Sequence, residues 1–305
     1  MDIIVSGSLA YDRIMDFPGH FAEHILPEKI HVLNVCFTVN GMIEKFGGTA
    51  GNIAYALTLM GEKPIISAAI GHDYQRYFTW LTKNGIATDH IKIIPEEFTA
   101  GAYITTDLGD NQITGFNPGA MKHSSALDFD ALIPGETILI VSPGNLADMV
   151  NYPRACKERG IDYIFDPGQQ LPVMDRDDLL QAIAGCRILI SNDYELDLIL
   201  NKTGLDRSAL RKRAGAIIVT LGEQGSLVLT QDDEARIPPC TPRQVMDPTG
   251  AGDSYRGGLL SGLVRGLNII QSAQMGSACA SFAVESYGTQ AYCFSPEEFT
   301  ARLNG

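Results

Sequence analysis

Between residues 137 and 221, short apolar segments alternate with amphipathic ones, and this alternation constrains the fold more than any other feature. Thr137–Val141 and Ala216–Leu221 have the length and composition of buried strands, and Leu146–Arg159 has the spacing of a helix. Strands that alternate with helices imply right-handed βαβ crossovers, which build a mostly parallel sheet. The same pattern predicts strands at Ile3–Val5, Pro64–Ala69, Tyr163–Phe165 and Arg187–Ile190, and helices at Gly51–Met60, Asp73–Asn84, Arg176–Ala184, Tyr194–Leu200 and Arg207–Arg213.

Two segments interrupt the alternation. His31–Lys45 and Ala100–Phe116 are rich in Val, Ile, Phe and Thr, and they contain turn signals at Asn40-Gly41 and at Gly109–Asn111. We predict that both form antiparallel strands inserted into an α/β scaffold. On the residues alone, such strands could be an edge sheet that only covers the core.

Composition and charge narrow the class of protein. The chain has 305 residues, 45% of them hydrophobic and 19% charged, which is typical of a globular protein with a large core. Because no apolar run reaches the length of a membrane span and no signal peptide stands at the N-terminus, we expect a cytoplasmic protein without a membrane partner. The net charge of −13 argues against nucleic-acid binding. The six cysteines show no paired spacing and are expected to be reduced, buried thiols.

The strongest chemical signal is the segment Asp247–Gly258. Gly250 and Gly252 allow a tight turn, and a helix is predicted from Ser254 to about Leu267. The unpaired N–H groups at a helix start, together with the helix dipole, bind anions and above all phosphate. A carboxylate in such a site, here Asp253, is either a helix N-cap or a general base for a hydroxyl that attacks the phosphate. The second interpretation points to a kinase.

The sequence Asp-Pro-Thr-Gly-Ala-Gly-Asp-Ser-Tyr-Arg-Gly-Gly at 247–258 resembles the C-terminal signature of the ribokinase (PfkB) family of small-molecule kinases. Upstream, Gly-Gly-Thr-Ala-Gly-Asn-Ile-Ala at 47–54 resembles the N-terminal signature, and the resemblance extends over essentially the whole chain. It implies a ribokinase-like, three-layer α/β domain with a mostly parallel central sheet and a small β-sheet lid. The large nucleotide-binding domain would comprise residues 1–10, 47–97 and 118–305, and the lid over the acceptor site residues 11–46 and 98–117.

The resemblance implies roles for the glycine turn and the donor site. Asp253 would act as general base, while Gly250, Ala251 and Gly252 would offer N–H groups to the transferred phosphoryl group. A P-loop signature is absent from the sequence, so ATP would not bind in the manner of P-loop enzymes. The residues that the resemblance implies for ATP binding are Asn192, Thr220, Gly222 and Gly225.

Three acidic residues are candidates near the phosphates. On the residues alone, Asn192 caps a helix and Glu195 completes a capping box. The resemblance adds that Glu195 organises Mg²⁺, through water, and that Asp247 lies near a monovalent cation such as K⁺. Asp166 follows a predicted strand and is either part of the site wall or a turn former before Pro167.

The resemblance also implies an acceptor site for a ribose or a hexose. The segment Gly7–Asp12 is taken to end the first strand, with Asp12 accepting hydrogen bonds from sugar hydroxyls. Side chains at Phe37, Met42 and Phe46 could stack on a base together with Phe116, or could pack the lid on the domain. The substrate-binding residues implied in this way are Asp12, Gly47, Gly48, Asn52, Phe116 and Gln170.

The choice of acceptor rests on segments similar to the adenosine-kinase-like branch, at 25–33, 116–121, 166–170 and 288–290. They imply an ATP- and Mg²⁺-dependent kinase that phosphorylates the 5′-hydroxyl of a nucleoside, with adenosine as first choice. A sugar kinase for ribose or fructose and a non-catalytic nucleoside sensor remain open. No Lys or Arg stands between Phe98 and Met121, so we expect no lid cation to be available for the phosphate. A monomer and a homodimer formed through the lids are both compatible with the sequence.

Overall fold

The computed structural model describes residues 1–32 and 34–305, which contain thirteen β-strands and nine α-helices. The strands are β1 Asp2–Ser6, β2 Ala10–Asp16, β3 Met42–Gly47, β4 Pro64–Gly71, β5 Ile91–Ile94, β6 Ala100–Thr106, β7 Gln112–Asn117, β8 Thr137–Val141, β9 Asp162–Phe165, β10 Ile188–Asn192, β11 Ile217–Thr220, β12 Ser226–Leu229 and β13 Glu234–Ile237. The helices are α1 Thr49–Leu59, α2 Gln75–Lys83, α3 Leu146–Arg159, α4 Arg176–Ile183, α5 Asp193–Thr203, α6 Arg207–Arg211, α7 Ala251–Val264, α8 Ile269–Ala283 and α9 Pro296–Asn304.

The large sheet has the strand order β13-β12-β11-β10-β9-β8-β1-β4-β5. All neighbours from β11 to β5 are parallel, and β12 and β13 are antiparallel at one edge. Every residue of β8 is buried, because helices cover both faces of the sheet. Ile138 and Ile140 face a core formed with α1, α2, α7 and α8, whereas Leu139 and Val141 face α3 to α6. The predicted three-layer fold with a mostly parallel sheet is therefore confirmed.

The small sheet has the order β3-β2-β6-β7. Strands β6 and β7 confirm the prediction for Ala100–Phe116. The prediction for His31–Lys45 is wrong in its first part: residues 27–32 form a 3-10 helix, residues 34–39 have no regular structure, and Leu33 lies outside the described residues. The partner of β3 is instead β2, so Asp12 belongs to the small sheet and does not end the first strand. The domain boundaries 1–10, 47–97, 118–305 and 11–46, 98–117 stay a prediction.

Two glycines of α7 allow the helix to approach its neighbours closely. A Cβ atom on Gly257 would lie 2.5 Å from the Cβ of Ala56 in α1, and one on Gly258 would lie 2.5 Å from the carbonyl oxygen of Met275 in α8. Side chains larger than hydrogen are excluded at both positions, because carbon atoms cannot approach so closely. The middle of α7 is consequently packed closely against α1 and α8.

The six cysteines differ in their burial. All six cysteines are free, but only Cys156, Cys186 and Cys279 are buried, while Cys36 and Cys293 are exposed. Burial of all six thiols was therefore a wrong prediction. Among the described residues, none of the helices combines the length and apolar character needed to cross a bilayer.

Candidate active site

Four neighbouring parallel strands, β8 to β11, end around one small cavity of about 190 Å³. Pro143 and Asp166 follow β8 and β9, while Asn192 and Thr220 end β10 and β11. The carboxyl ends of parallel strands are where open α/β sheets bind ligands. We call this space the middle cavity. The start of α7 closes its other side with Gly250, Gly252 and Asp253.

The glycine turn presents backbone N–H groups at the start of α7. Gly250 is the N-cap and has the left-handed angle φ +80°, which a glycine adopts without strain. Asp253 lies within the first turn and makes no capping hydrogen bond, so its interpretation as an N-cap is wrong. The Ala251 N–H donates to the Pro248 carbonyl at 3.2 Å. In the described part of the chain, the N–H groups of Gly250, Gly252 and Asp253 have no acceptor, and they are available to an anion.

Asp253 is partly buried, and its carboxylate accepts one hydrogen bond from the described residues. The Asn52 amide nitrogen donates to its Oδ2 at 2.8 Å. Burial raises the pKa of Asp253 to about 6; the charge of Arg256 and the Asn52 hydrogen bond oppose this rise, whereas Asp166 and Glu195 add to it. A carboxylate with a pKa near neutrality is suited to act as a general base.

A buried ion pair stands behind the middle cavity. Arg256 donates to Asp166 through Nε at 2.5 Å and through Nη2 at 2.7 Å, and its Nη1 donates to the Gly252 carbonyl at 2.9 Å. Asp166 and Arg256 are only 1% and 7% exposed, so the pair is shielded from water. Arg256 therefore connects the end of β9 to the glycine turn. Asp166 lines the cavity and is more than a turn former.

A larger cavity of about 770 Å³ adjoins the turn on the side of the small sheet. We call it the first cavity. Its lining includes the predicted acceptor residues Asp12, Gly48, Asn52, Phe116 and Gln170, together with Thr249, Gly250 and Asp253.

Asp12 offers this cavity an acceptor that is free of protein partners. No hydrogen bond within the described residues reaches its carboxylate, and burial raises its pKa while the charge of Lys45 lowers it. A Cβ atom on Gly47 would lie 2.5 Å from Asp12 Oδ2, and one on Gly48 would lie 2.6 Å from the Ser8 carbonyl. Glycine at position 47 therefore leaves room for the Asp12 carboxylate, and glycine at position 48 leaves room for the backbone between β1 and β2.

A third cavity of about 690 Å³ lies on the opposite side of the glycine turn. It is lined by Thr220, Gly222 and Gly225, which the resemblance assigned to ATP, and by Ala251 and Gly252. A Cβ atom on Gly225 would lie 2.1 Å from the Ile237 carbonyl, so a glycine is required there. The glycine turn thus stands between two cavities that are each large enough for a small molecule, and Asp253 lines the first of them.

The oxygen atoms around the middle cavity fit a magnesium ion held through water. Glu195 accepts from the Asn192 N–H at 2.9 Å and Asn192 accepts from the Glu195 N–H at 2.7 Å, which confirms the predicted capping box. Both residues also line the cavity. No three His, Cys, Asp or Glu side chains of the described residues are grouped to bind an ion directly. Mg²⁺ commonly keeps several waters and binds phosphates, which suits such a site.

Asp247 holds the glycine turn in place. Its Oδ1 accepts from the Thr249 N–H at 2.9 Å and its Oδ2 accepts from the Gly288 N–H at 3.1 Å. Burial opposes the charge of Asp247, but these hydrogen bonds outweigh it and lower the pKa. Oδ1 therefore holds the turn itself, and Oδ2 ties it to the segment before Thr289.

The aromatic residues predicted to stack on a base or to pack the lid have different surroundings in the structure. Phe37 packs against Phe17 and Phe21, which follow β2 in the chain, at centroid distances of 4.8 and 5.0 Å. Phe46 stacks on Trp80 at 5.1 Å. For these two, packing is the correct interpretation. Phe116 lines the first cavity and is 54% exposed, so a face of the ring is available there.

The small sheet carries a cation outside the segment between Phe98 and Met121, on β3. The residues between Phe98 and Met121 contain none, but Lys45 on β3 pairs in register with Asp12 on β2. Its charge lowers the pKa of both Asp12 and Asp247. A cation from the small sheet therefore stands beside the acidic wall of the first cavity.

Sequence reasoning missed the ion pair of Arg256 with Asp166 and the contact of Gln290 with Asn52. Arg256 lies within the quoted signature, three residues after Asp253, so an arginine beside a buried carboxylate was a usable signal. Gln290 donates to Asn52 across 238 residues of sequence, and nothing local in the sequence indicates that contact.

Comparison with known proteins agrees with this arrangement. The model of the pfkB family of carbohydrate kinases matches residues 12–297. A nucleoside kinase from Methanothermobacter thermautotrophicus is 33% identical over 297 residues, which cover 95% of this chain and 91% of that protein. The structure of Burkholderia thailandensis nucleoside kinase in complex with inosine is 36% identical, covers 99% of this chain and 97% of that chain, and has a TM-score of 0.87.

An archaeal structure extends the comparison. The nucleoside kinase of Methanocaldococcus jannaschii, described as a member of the ribokinase family, is 30% identical with a TM-score of 0.84 and covers 100% of this chain and 98% of that one. The match to the family model spans nearly the whole chain, including both signatures and both sides of the glycine turn. The chain belongs to the pfkB family of carbohydrate kinases, with a ribokinase-like fold.

Proposed function

We propose that this protein is an ATP-dependent kinase that phosphorylates the 5′-hydroxyl of a nucleoside, with adenosine as the first candidate. The observation that carries the proposal is the position of Asp253, which lines the first and middle cavities at a glycine turn that also borders the third cavity, beside N–H groups for which the described residues offer no acceptor. A base at that junction can take the proton of a hydroxyl from one cavity while a phosphoryl group arrives from the other. The volume of the first cavity and the names of the relatives both support a nucleoside acceptor.

Each cavity then has a role. In the first cavity Asp12, Gly48 and Asn52 would hold the ribose, with Gly47 packed against Asp12, and Phe116 and Gln170 would border the base. In the third cavity Thr220, Gly222 and Gly225 would hold ATP, with its phosphates directed to Gly250–Gly252. Asn192 would border the phosphates from the end of β10.

Two cations belong to the proposal. Mg²⁺ would be held through water by Glu195, and when bound it would neutralise charge on the phosphates. Asp247 would lie near a monovalent cation such as K⁺, although its carboxylate oxygens already accept two backbone hydrogen bonds.

The first experiment measures ADP release with Mg²⁺ and ATP against adenosine, inosine, guanosine, cytidine, ribose and fructose. We expect turnover with adenosine and little ADP release without an acceptor. The matched control is 5′-deoxyadenosine, which has the same base and ring but lacks the reacting hydroxyl, and should inhibit without turnover. Turnover with a free sugar alone would replace the nucleoside by a sugar. Nucleoside binding without turnover would favour a sensor.

The pH dependence of kcat/KM follows from the pKa of Asp253. Its carboxylate must be ionised to accept a proton, so activity is full above the pKa and falls as the pH drops through about 6. Below that value we expect about a tenfold loss per pH unit. Initial rates between pH 5 and pH 9 at saturating ATP test this. An activity that stays constant down to pH 5 would contradict Asp253 as the base.

A further inference from the structure

Behind Asp253 lies a chain of hydrogen-bonded polar side chains, of which the proposed function uses only Asn52. Trp80 Nε1 donates to Gln290 Oε1 at 2.8 Å, Gln290 Nε2 donates to Asn52 Oδ1 at 3.0 Å, and Asn52 Nδ2 donates to Asp253 Oδ2 at 2.8 Å. Gln290 is 5% exposed and Asn52 is 4% exposed. Hydrogen bonds thus link the candidate base, through Asn52 of α1, to the segment before α9 and to α2.

Trp80 determines which groups donate and which accept in this series of hydrogen bonds. An indole N–H can only donate, so the Gln290 atom that faces Trp80 must be the amide oxygen. The Gln290 nitrogen then points to Asn52, which must receive it with its own amide oxygen. The Asn52 nitrogen is left to face Asp253, and there it can only donate.

Tyr77 determines the same direction independently. Its hydroxyl donates to the Gly47 carbonyl at 2.7 Å and is fully buried. Since that hydroxyl has one proton, it must accept from Gln290 Nε2, at 2.9 Å. Both hydrogens of the Gln290 amide are therefore engaged, and a rotated amide would face the Tyr77 oxygen with its own oxygen.

We propose that Gln290, oriented by Trp80 and Tyr77, is a positioning residue that keeps the Asn52 N–H directed at Asp253. The inference rests on the proposed function, because it concerns the orientation of the proposed base. With its Oδ2 held in this way, Asp253 keeps its other oxygen for the hydroxyl of the acceptor. The charged groups that also face Asp253 are Arg256, Asp166 and Glu195, and none of them contacts Gln290.

The test compares two substitutions of Gln290 that differ in polarity. Gln290→Leu removes both donors, and we expect kcat to fall about 10- to 100-fold with KM for ATP nearly unchanged, as for loss of a hydrogen bond to a charged group. Gln290→Glu keeps the shape and, at pH 8.5, the acceptor for Trp80, but has no N–H for Asn52. We expect kcat to fall at least as far as in Gln290→Leu.

Trp80 supplies a readout independent of activity, because it is the single tryptophan of the chain. Its indole ¹H–¹⁵N resonance should move upfield in Gln290→Leu, where the acceptor is lost, and remain downfield in Gln290→Glu. Tyr55→Phe is the matched control. It removes another buried hydrogen bond, from Tyr55 to the Tyr292 carbonyl at 2.6 Å, in the same aromatic cluster. For Tyr55→Phe we expect the kcat of the wild type and a melting temperature similar to those of the Gln290 variants.

Two results would overturn the inference. One is a folded Gln290→Leu protein with kcat within about twofold of wild type. The other is a Gln290→Glu protein that retains wild-type kcat, because shape and not polarity would then matter. If the wild-type protein turns over no acceptor, the proposed function fails, and the indole resonance still reports whether Gln290 receives the Trp80 N–H.

Discussion

Asp253→Asn is expected to lower kcat by about 10²- to 10⁴-fold, the usual contribution of a general base. The amide has the same shape and its oxygen can still accept from Asn52, so the substitution removes the base without disturbing the hydrogen bond at 2.8 Å. The N–H groups of the glycine turn and both large cavities remain, and KM for ATP should change little. Single-turnover kinetics with adenosine and Mg²⁺-ATP measure the loss in the chemical step.

The control for this substitution is Asp177→Asn. Asp177 is an exposed carboxylate in the first turn of α4, remote from the three cavities, and its loss changes the net charge by the same amount. We expect wild-type kinetics for it. A residual kcat above about one tenth of the wild-type value in Asp253→Asn would show that the hydroxyl loses its proton by another route.

The large sheet could be predicted because its strands are buried on both faces. Thr137–Val141 and Ile217–Thr220 are continuous apolar runs between helices, and this pattern has few alternative structures. Strand β2 was missed because Ala10–Asp16 mixes aromatic, charged and aliphatic residues, and most of it is only partly buried. Its pairing with β3 and β6 comes from tertiary contact and leaves no local period.

The candidate site was predictable where its chemistry is local. The glycine turn places N–H groups and Asp253 within a few residues of each other, so the sequence alone indicates an anion site with a carboxylate. The contacts that orient Asp253 are not local. Asn52 reaches it across 201 residues, and Gln290 reaches Asn52 across 238. The role of Phe46 could not be predicted for the same reason. Its ring stacks on Trp80, and no local spacing in the sequence indicates that contact.

The ion pair of Arg256 and Asp166 gives the second large expected effect. Arg256→Leu removes the partner of a carboxylate that is only 1% exposed, and we expect the free energy of unfolding to fall by about 3–5 kcal/mol. Unfolding in urea, compared with the double variant Arg256→Leu/Asp166→Asn, measures this. The double variant should recover part of the loss, because it no longer buries an unpaired charge.

The same substitution should also move the acid limb of kcat/KM to higher pH. The charge of Arg256 lowers the pKa of Asp253, against the burial that raises it to about 6. Without that cation the pKa rises further, so the base becomes protonated, and activity is lost, at a higher pH than in the wild type. A phosphate group of ATP titrates near about pH 6 as well, but its pKa belongs to the ligand and would not follow the substitution in this way. Arg256→Lys keeps the charge without the paired hydrogen bonds, and its limb should lie closer to that of the wild type. Identical limbs in Arg256→Leu and the wild type would assign the titration to the nucleotide and remove the pH argument for Asp253.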